Sequence, residues 1–173
     1  MKGFKIAIAT KDKEPEDLIL IGKDVDIQYN HDDSANDEQK IIESVDIFFD
    51  TIDDNVRNKS SGMLAKIEIK GVIPRDEPEL MRKFLKLSEW ARDNSSDTQY
   101  RNICIAVKGS DNSFLRVYSI KNVFIVDYRE VYVLDGTNGK DRFELYLTQK
   151  EDNMDKIEVL KDWPSEWDWA RRG

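Results

Sequence analysis

The chain has 173 residues, a formal net charge of −8 and an aromatic content of 10%. A chain of this length can bury one hydrophobic core, and the aromatic content argues against disorder. The negative charge repels phosphate backbones and so excludes adhesive nucleic-acid binding; it indicates either simple solubility or a surface past which nucleic acid or cargo slides.

The sequence offers little material for a membrane segment. Its apolar runs fall well short of the roughly 20 residues that are needed to cross a bilayer. Residues 1–17 lack both the apolar length and the cleavage site of a signal peptide. We therefore expect synthesis in the cytoplasm and no membrane insertion.

One cysteine, Cys104, and one histidine, His31, leave few routes to catalysis or metal binding. A single cysteine excludes an internal disulfide and a cysteine-based zinc site. His31 stands among Asp32, Asp33 and Asp37, but the segment lacks the spacing of a calcium loop, so a solvated loop is the simpler interpretation. A nucleophilic Cys–His pair would require His31 to reach Cys104. We predict no catalytic residue, no metal site and no cofactor, and hence no enzyme.

Alternation of apolar and polar residues predicts strands in the first part of the chain. Segment 41–49 is ambiguous, because the spacing of Ile41, Val45 and Phe48 also suits a helix. Its β-branched and aromatic residues favour a strand from about Glu43. The predicted strands are 4–10, 18–21, 25–29, 43–49 and 63–70, the last ended by Gly71, with polar loops at about 30–40 and 50–61.

One amphipathic helix is predicted at about 76–92. Asp76 is a suitable N-terminal cap, and Pro78 suits the first turn. Apolar residues spaced by three or four form one stripe, so we expect the helix to pack against a sheet. The stripe consists of Leu80, Phe84, Leu87 and Ala91, widened by Met81 and Leu85.

After the helix the pattern predicts strands only, at 103–107, 114–120, 122–134, 143–148 and 156–160. The turn signals Asp135-Gly136 and Asn138-Gly139 make 122–149 a long hairpin. Its first strand is apolar on both faces, which is consistent with core packing or with contacts between subunits. We expect Val123, Ile125, Val131 and Val133 on one face, and Phe124, Val126, Tyr128, Tyr132 and Leu134 on the other.

These elements predict an α+β fold, mainly an antiparallel β-barrel or curved sandwich with one packed amphipathic helix. Closure or strong curvature would remove the exposed edges that long strands otherwise leave. No internal repeat or low-complexity linker divides the sequence. We therefore expect a single domain over 1–173 with a tryptophan-rich tail at 161–173.

The tail carries tryptophans at three positions that cannot all share one face of a helix. They either cover the barrel or anchor a partner, since tryptophan is common in binding hot spots. The candidate subunit-interface residues are thus Phe124, Val126, Tyr128 and Tyr132 of the hairpin and Trp163, Trp167 and Trp169 of the tail.

Two groups of motifs resemble the tube proteins of contractile injection systems, which include phage tail-tube proteins and the hemolysin-coregulated protein of type VI secretion. Segment Phe114–Tyr128 is similar to the strand pair before that family's final hairpin, and Phe143–Lys150 is similar to its closing strand. Segment Ser44–Thr51, followed by Asp54–Arg57, resembles a motif of the tube and baseplate adaptor proteins, with Asn55 interrupting its second part.

The resemblance implies a structural role. It implies a ring of six copies, stacked into a hollow tube with an acidic channel, and partners among other tail, baseplate or sheath proteins. The particle would be a virion tail or an injection machine. Because a fold can serve several functions, the alternative is a monomeric binding or accessory module of phage or mobile-element origin, without catalysis.

Overall fold

The computed structural model describes residues 3–10, 19–21, 41–51, 63–75, 78–96, 98–109, 113–134, 139–150 and 157–165. Over these residues the chain forms eight strands and one helix. The strands are β1 (Gly3–Ala9), β2 (Ile19–Ile21), β3 (Ile42–Thr51), β4 (Met63–Val72), β5 (Arg101–Lys108), β6 (Phe114–Val131), β7 (Arg142–Gln149) and β8 (Ile157–Leu160), and the helix is α1 (Pro78–Ala91).

All eight strands join one antiparallel sheet in the order β2-β1-β5-β6-β7-β4-β3, and β8 pairs with β6 beside this path. The sheet curls into a half-barrel, which brings β1 into contact with β3. The predicted α+β fold with a curved antiparallel sheet and one packed helix is therefore confirmed.

The inner face of the sheet carries the main core. Ile6 of β1 lies opposite Ile105 of β5, and Ile67 of β4 lies opposite Leu147 of β7, all fully or almost fully buried. These aliphatic rows alternate with polar residues along β4 and β7, as a half-buried strand requires. Helix α1 packs against this face and completes the cluster.

The helix contributes a narrower stripe than the sequence predicts. Phe84 and Leu87 are buried as expected, and the ring of Phe84 meets that of Phe143 edge-on at 4.9 Å. The prediction for Leu85 is wrong, because its side chain is 56% exposed. Trp90 is buried in its place, since it follows Leu87 by three residues and shares its face. The predicted cap and the side chain of Leu80 lie outside the described residues.

Strand β6 differs most from the prediction. The two strands expected at 114–120 and 122–134 are one continuous strand of 18 residues. Its pairing with β5 shifts register next to Asn122, which has a φ of 56°. Asparagine tolerates this left-handed conformation better than most residues. A second register shift between Ile125 and Asp127 places Val126 in a bulge opposite β7.

Each bulge adds one residue and therefore exchanges the faces of all the residues that follow. Along β6, the side chains on the inner face are those of Tyr118 and Ile120 before the first bulge, Val123 and Ile125 between the two bulges, and Tyr128 after the second. The predicted placement of Tyr128 beside Val126 on a second apolar face is therefore wrong. So is the placement of Val131 beside Val123, since Val131 pairs with Arg142 on the outer face and is exposed.

Two smaller predictions concern the first half of the chain. Segment 41–49 lies almost entirely in strand β3, so the strand predicted from its β-branched and aromatic residues is confirmed and the helix is not. Strand β4 does not end at Gly71 but continues to Val72, because Val72 N–H donates to the carbonyl of Ile41 at 2.8 Å. The predicted strand at 25–29 and the loop at 30–40 lie outside the described residues.

Candidate subunit interface

The outer face of β3, β4, β7 and the second half of β6 is polar. We call it the polar face. Charged residues of neighbouring strands stand opposite one another on it, as in the row Lys70–Glu144–Arg129. Its other side chains follow from the same register. They are Asp46, Phe48 and Asp50 of β3, Lys66 and Glu68 of β4, Arg142 and Tyr146 of β7, and Asp127 of β6.

Charges on the polar face neutralise one another. Lys66 Nζ lies 2.7 Å from a carboxylate oxygen of Asp50, and Lys70 pairs with Glu68 on its own strand. The pKa of Lys70 is raised, chiefly by its hydrogen bond to Glu68. Glu43, which pairs with Arg142, also belongs to this face, so its described part carries six carboxylates and four basic groups. It is therefore a hydrated, slightly acidic surface.

Beside the polar face, β6 has an edge that none of the other described strands pairs with. Pairing of β5 with β6 stops at Arg101 and Val123, so residues 124–131 pair with β7 alone among the described strands. We call this segment the β6 edge. The bulged Val126 on it is 62% exposed, and Leu134 just beyond it is 82% exposed. An unpaired edge with exposed apolar side chains is a template for pairing with another chain.

A carboxylate joins one tyrosine of the β6 edge to the tyrosine that follows the edge. Glu130 accepts hydrogen bonds from the hydroxyls of Tyr128 and Tyr132 at 2.5 and 2.7 Å. Burial, and then the bond to Glu130, raises the pKa of Tyr128. The bond to Glu130, and then burial, raises the pKa of Tyr132 to about 12. Both hydroxyls therefore stay protonated at neutral pH and hold Glu130 in place.

An ion pair fixes the chain that follows the β6 edge. Arg75, just after β4, donates to both carboxylate oxygens of Asp141 and to the carbonyl of Val133. Asp141 also accepts from the Val133 N–H at 2.9 Å. Arg75, followed by the Val133 N–H, holds the pKa of Asp141 below its usual range. Val133, which lies between the exposed Tyr132 and Leu134, is thus bonded through both its N–H and its carbonyl group.

The structure separates the seven candidate interface residues. Phe124 is half-buried and meets the ring of Tyr100 edge-on at 5.7 Å, whereas Val126 and Tyr132 are exposed. Tyr128 packs against the main core, and Trp163 is buried against its own sheet. The other two, Trp167 and Trp169, lie outside the described residues.

Sequence reasoning missed three contributors to this surface. Val131 was expected in the core, but the bulge at Val126 turns it outward. Arg75 and Asp141 are 66 positions apart, and no local pattern links residues at that separation. The sequence contains one signal of the bulge at Val126. The strand predicted at 122–134 is apolar on both faces, and a change of register produces that pattern as well as two buried faces do.

The described part of the chain offers little support for a metal site, a catalytic centre or a membrane-spanning helix. No group of three or more His, Cys, Asp or Glu side chains there could hold a metal ion. Cys104 is buried, and His31 lies outside the described residues. None of the described helical segments has the length and apolar character of a membrane-spanning helix.

No protein-family model and no curated protein matches the chain. Similar solved structures include a protein of the anti-feeding prophage baseplate, at 14% identity and a TM-score of 0.46 over 91% of both chains. A protein of the PVC sheath–tube complex, from an extracellular contractile injection system, is 13% identical at a TM-score of 0.47 over 91% of this chain and 89% of that chain. Hcp1 from Salmonella typhimurium is 10% identical at a TM-score of 0.47 over 84% of this chain and 81% of that chain.

Proposed function

We propose that the chain is a structural subunit of a phage-tail or contractile injection-system tube, or of a ring next to that tube. Six copies would join in a closed ring, and rings would stack into a hollow tube. The observation that carries this proposal is the β6 edge, which no second described strand pairs with. Exposed apolar side chains border it, and it lies beside a polar sheet face that no described element covers.

The β6 edge supplies the reason to assemble. Backbone N–H and C=O groups on the outer side of 124–131 have no strand partner among the described residues. A strand of a neighbouring copy would pair with them and cover Val126 and Tyr132 at the same time. Such a contact joins two different surfaces, so it repeats from copy to copy and ends only when the ring closes. Closure also removes the edge as a site of uncontrolled pairing.

The polar face supplies the channel wall. Of the two faces of the sheet, the inner one is filled by the core and α1, whereas the polar face carries solvated ion pairs. A wall of this kind stays hydrated, and its exposed apolar side chains, Phe48 and Val131, stand singly among charged residues. Over the described residues its charge is only slightly acidic, and most of the net charge of −8 lies elsewhere in the chain. The channel would therefore repel nucleic acid weakly rather than strongly.

The proposal implies which partners the chain binds and where it is located. Further copies of the chain are the first partners, and other tail, baseplate or sheath proteins are the next, as the motifs of β3, β6 and β7 suggest. The chain would act as one domain, without catalysis. It would be made in the cytoplasm and then built into a virion tail or an injection particle.

Electron microscopy of the concentrated protein tests this proposal. We expect ring-shaped particles with a central hole and six-fold symmetry, and short stacks of rings at higher concentration. A monomeric accessory module would instead give only small, featureless particles of 20.2 kDa. That result, obtained also in the presence of the proteins encoded next to this chain, would exclude the tube subunit.

A further inference from the structure

Strand β3 forms a second edge of the sheet. Among the described strands it pairs with β4 alone, and it stands at the end of the strand order. We call the outer side of its residues 46–50 the β3 edge. Two aromatic side chains on it are exposed, Phe48 at 45% and Phe49 at 40%. Like the β6 edge, it combines backbone groups that no second described strand pairs with and large exposed apolar side chains, which favours pairing with another strand.

The β3 edge and the β6 edge bound the same four strands. The order β6-β7-β4-β3 places them on opposite sides of the part of the sheet that carries the polar face. Each neighbouring pair in this order is antiparallel, so β3 runs against β6. Rotation about the axis of a ring keeps the direction of every strand along that axis. The β3 edge of one copy would therefore meet the β6 edge of the next copy as an antiparallel partner.

The faces of the two strands limit how these edges can align. The polar face carries Asp46, Phe48 and Asp50 of β3, and it carries Asp127 and Arg129 of β6. A shift of one residue would turn the polar side chains of one strand to the apolar side of the other, so only shifts of two residues preserve the faces. Three such registers place Asp127 opposite one of the three β3 residues.

Charge selects one of these three registers. Two of them set Asp127 opposite Asp46 or Asp50, and like charges directly opposite each other destabilise a strand pair. The third register sets Asp127 opposite Phe48. Arg129 then stands opposite Asp46, so that a basic and an acidic side chain meet across the contact. Only this third register avoids two facing carboxylates and gains an ion pair.

The same register covers apolar side chains that are exposed in the single chain. It brings Phe49 opposite Val126, whose exposed fractions are 40% and 62%. We propose that the β3 edge of one copy pairs with the β6 edge of the next in this register, with Asp46 opposite Arg129. The contact rests on the ring proposed above and specifies the strand, the direction and the alignment that would close it.

Disulfide trapping in the full-length protein measures this alignment. Cys104→Ala removes the only cysteine of the chain, so added cysteines report alone. Within one copy, positions 46 and 129 are separated by three strand spacings, about 14 Å, which is too far for a disulfide. Asp46→Cys combined with Arg129→Cys should therefore link only between copies. Mild oxidation should give a ladder of up to six chains on a denaturing gel.

Two control pairs represent the other registers, namely Asp46→Cys with Asp127→Cys and Asp50→Cys with Asp127→Cys. They should link at least about tenfold more slowly, because a shift of two residues separates the Cα atoms by about 7–8 Å. Light scattering on the Cys104→Ala parent shows whether rings form. Rings in which a control pair links as fast as the pair at 46 and 129 overturn the proposed register and leave the ring intact. A parent that stays at 20.2 kDa overturns the ring and this contact together.

Charge reversal gives a second readout that needs no added cysteine. Arg129→Asp should raise the concentration at which rings form by at least about tenfold, since two carboxylates then meet at every contact of the ring. Adding Asp46→Arg to the same chain should restore assembly, while circular dichroism stays that of wild type throughout. A folded double variant that assembles no better than Arg129→Asp alone contradicts the proposal.

Discussion

Arg75 Nε and Nη2 donate to the two carboxylate oxygens of Asp141 at 2.5 and 2.7 Å, across 66 positions of sequence. The same carboxylate accepts the N–H of Val133, and the Asp141 carbonyl accepts the N–H of Ile73. One residue thus joins the chain after β4, the chain after β6 and the start of β7. The chain that follows the β6 edge is therefore held by charge-assisted bonds.

This relationship predicts a specific loss of stability in acid. The pKa of Asp141 lies below its ordinary value of 3.8 in the folded chain. A carboxyl group with a lowered folded pKa stabilises the fold above its unfolded pKa and loses that contribution as pH falls through the folded pKa. Asp141→Asn should therefore lower the free energy of unfolding at neutral pH and flatten its decline below about pH 4. Urea unfolding at several pH values measures both effects.

The exposed Asp46 provides the matched control for that experiment. Asp46→Asn removes one negative charge from the same sheet without touching the support of the β6 edge. Its stability at neutral pH should stay within about 0.5 kcal/mol of wild type. An Asp141→Asn variant as stable as Asp46→Asn would mean that the ion pair contributes nothing.

Helix α1 should respond very differently at two adjacent positions. Phe84 is buried against Phe143, so Phe84→Ala should lower the free energy of unfolding by about 3–5 kcal/mol. Leu85 is exposed, and alanine is a good helix former, so Leu85→Ala should change it by less than about 0.5 kcal/mol. Chemical denaturation of both variants checks the orientation of the helix, and equal losses would contradict it.

Gly71 should be replaceable by no other residue. A Cβ atom at this position would lie 1.9 Å from the carbonyl oxygen of Ile41 and 2.8 Å from the ring of Phe143. Since backbone has to move, Gly71→Ala should cost at least about 2 kcal/mol. Gly3, where a Cβ would meet nothing within 4 Å, is the control, and Gly3→Ala should be nearly neutral. Thermal unfolding that ranks the two variants equally would refute the close approach of Gly71 to Ile41.

Charge on the β6 edge should separate assembly from folding. Val126 and Tyr132 are exposed in the single chain, so Val126→Glu and Tyr132→Glu should keep the circular dichroism of wild type and lose assembly. Tyr128 packs against the core, so Tyr128→Glu should unfold the chain instead. Sedimentation velocity and circular dichroism distinguish these outcomes. Val126→Glu particles that still assemble would mean that subunits meet elsewhere.

Much of the fold could be predicted because its signals are local. The alternation of Ile67 and Ile69 with charged neighbours predicts β4, and the spacing of Phe84 and Leu87 predicts α1. Both predictions hold because a half-buried strand and a one-sided helix leave their period in the sequence. The predicted stripe left out Trp90. The same local spacing could have included it, because Trp90 follows Leu87 by three residues.

The faces of β6 could not be predicted in this way. A bulge adds a residue without changing composition, so the apparent second apolar face arises partly from two changes of register. Asn122 marks the first of them, as a residue that accepts positive φ. Val126 carries no comparable signal. The support of the edge by Arg75 and Asp141 depends on tertiary contacts, which a single sequence does not encode locally.

Light scattering coupled to size-exclusion chromatography tests assembly through the β6 edge most directly. The wild-type chain should show a molar mass near six times 20.2 kDa, rising with concentration as rings stack, while Val126→Glu stays at 20.2 kDa. Wild-type protein that remains at 20.2 kDa at every concentration, and also with its partner tail proteins present, would contradict the account.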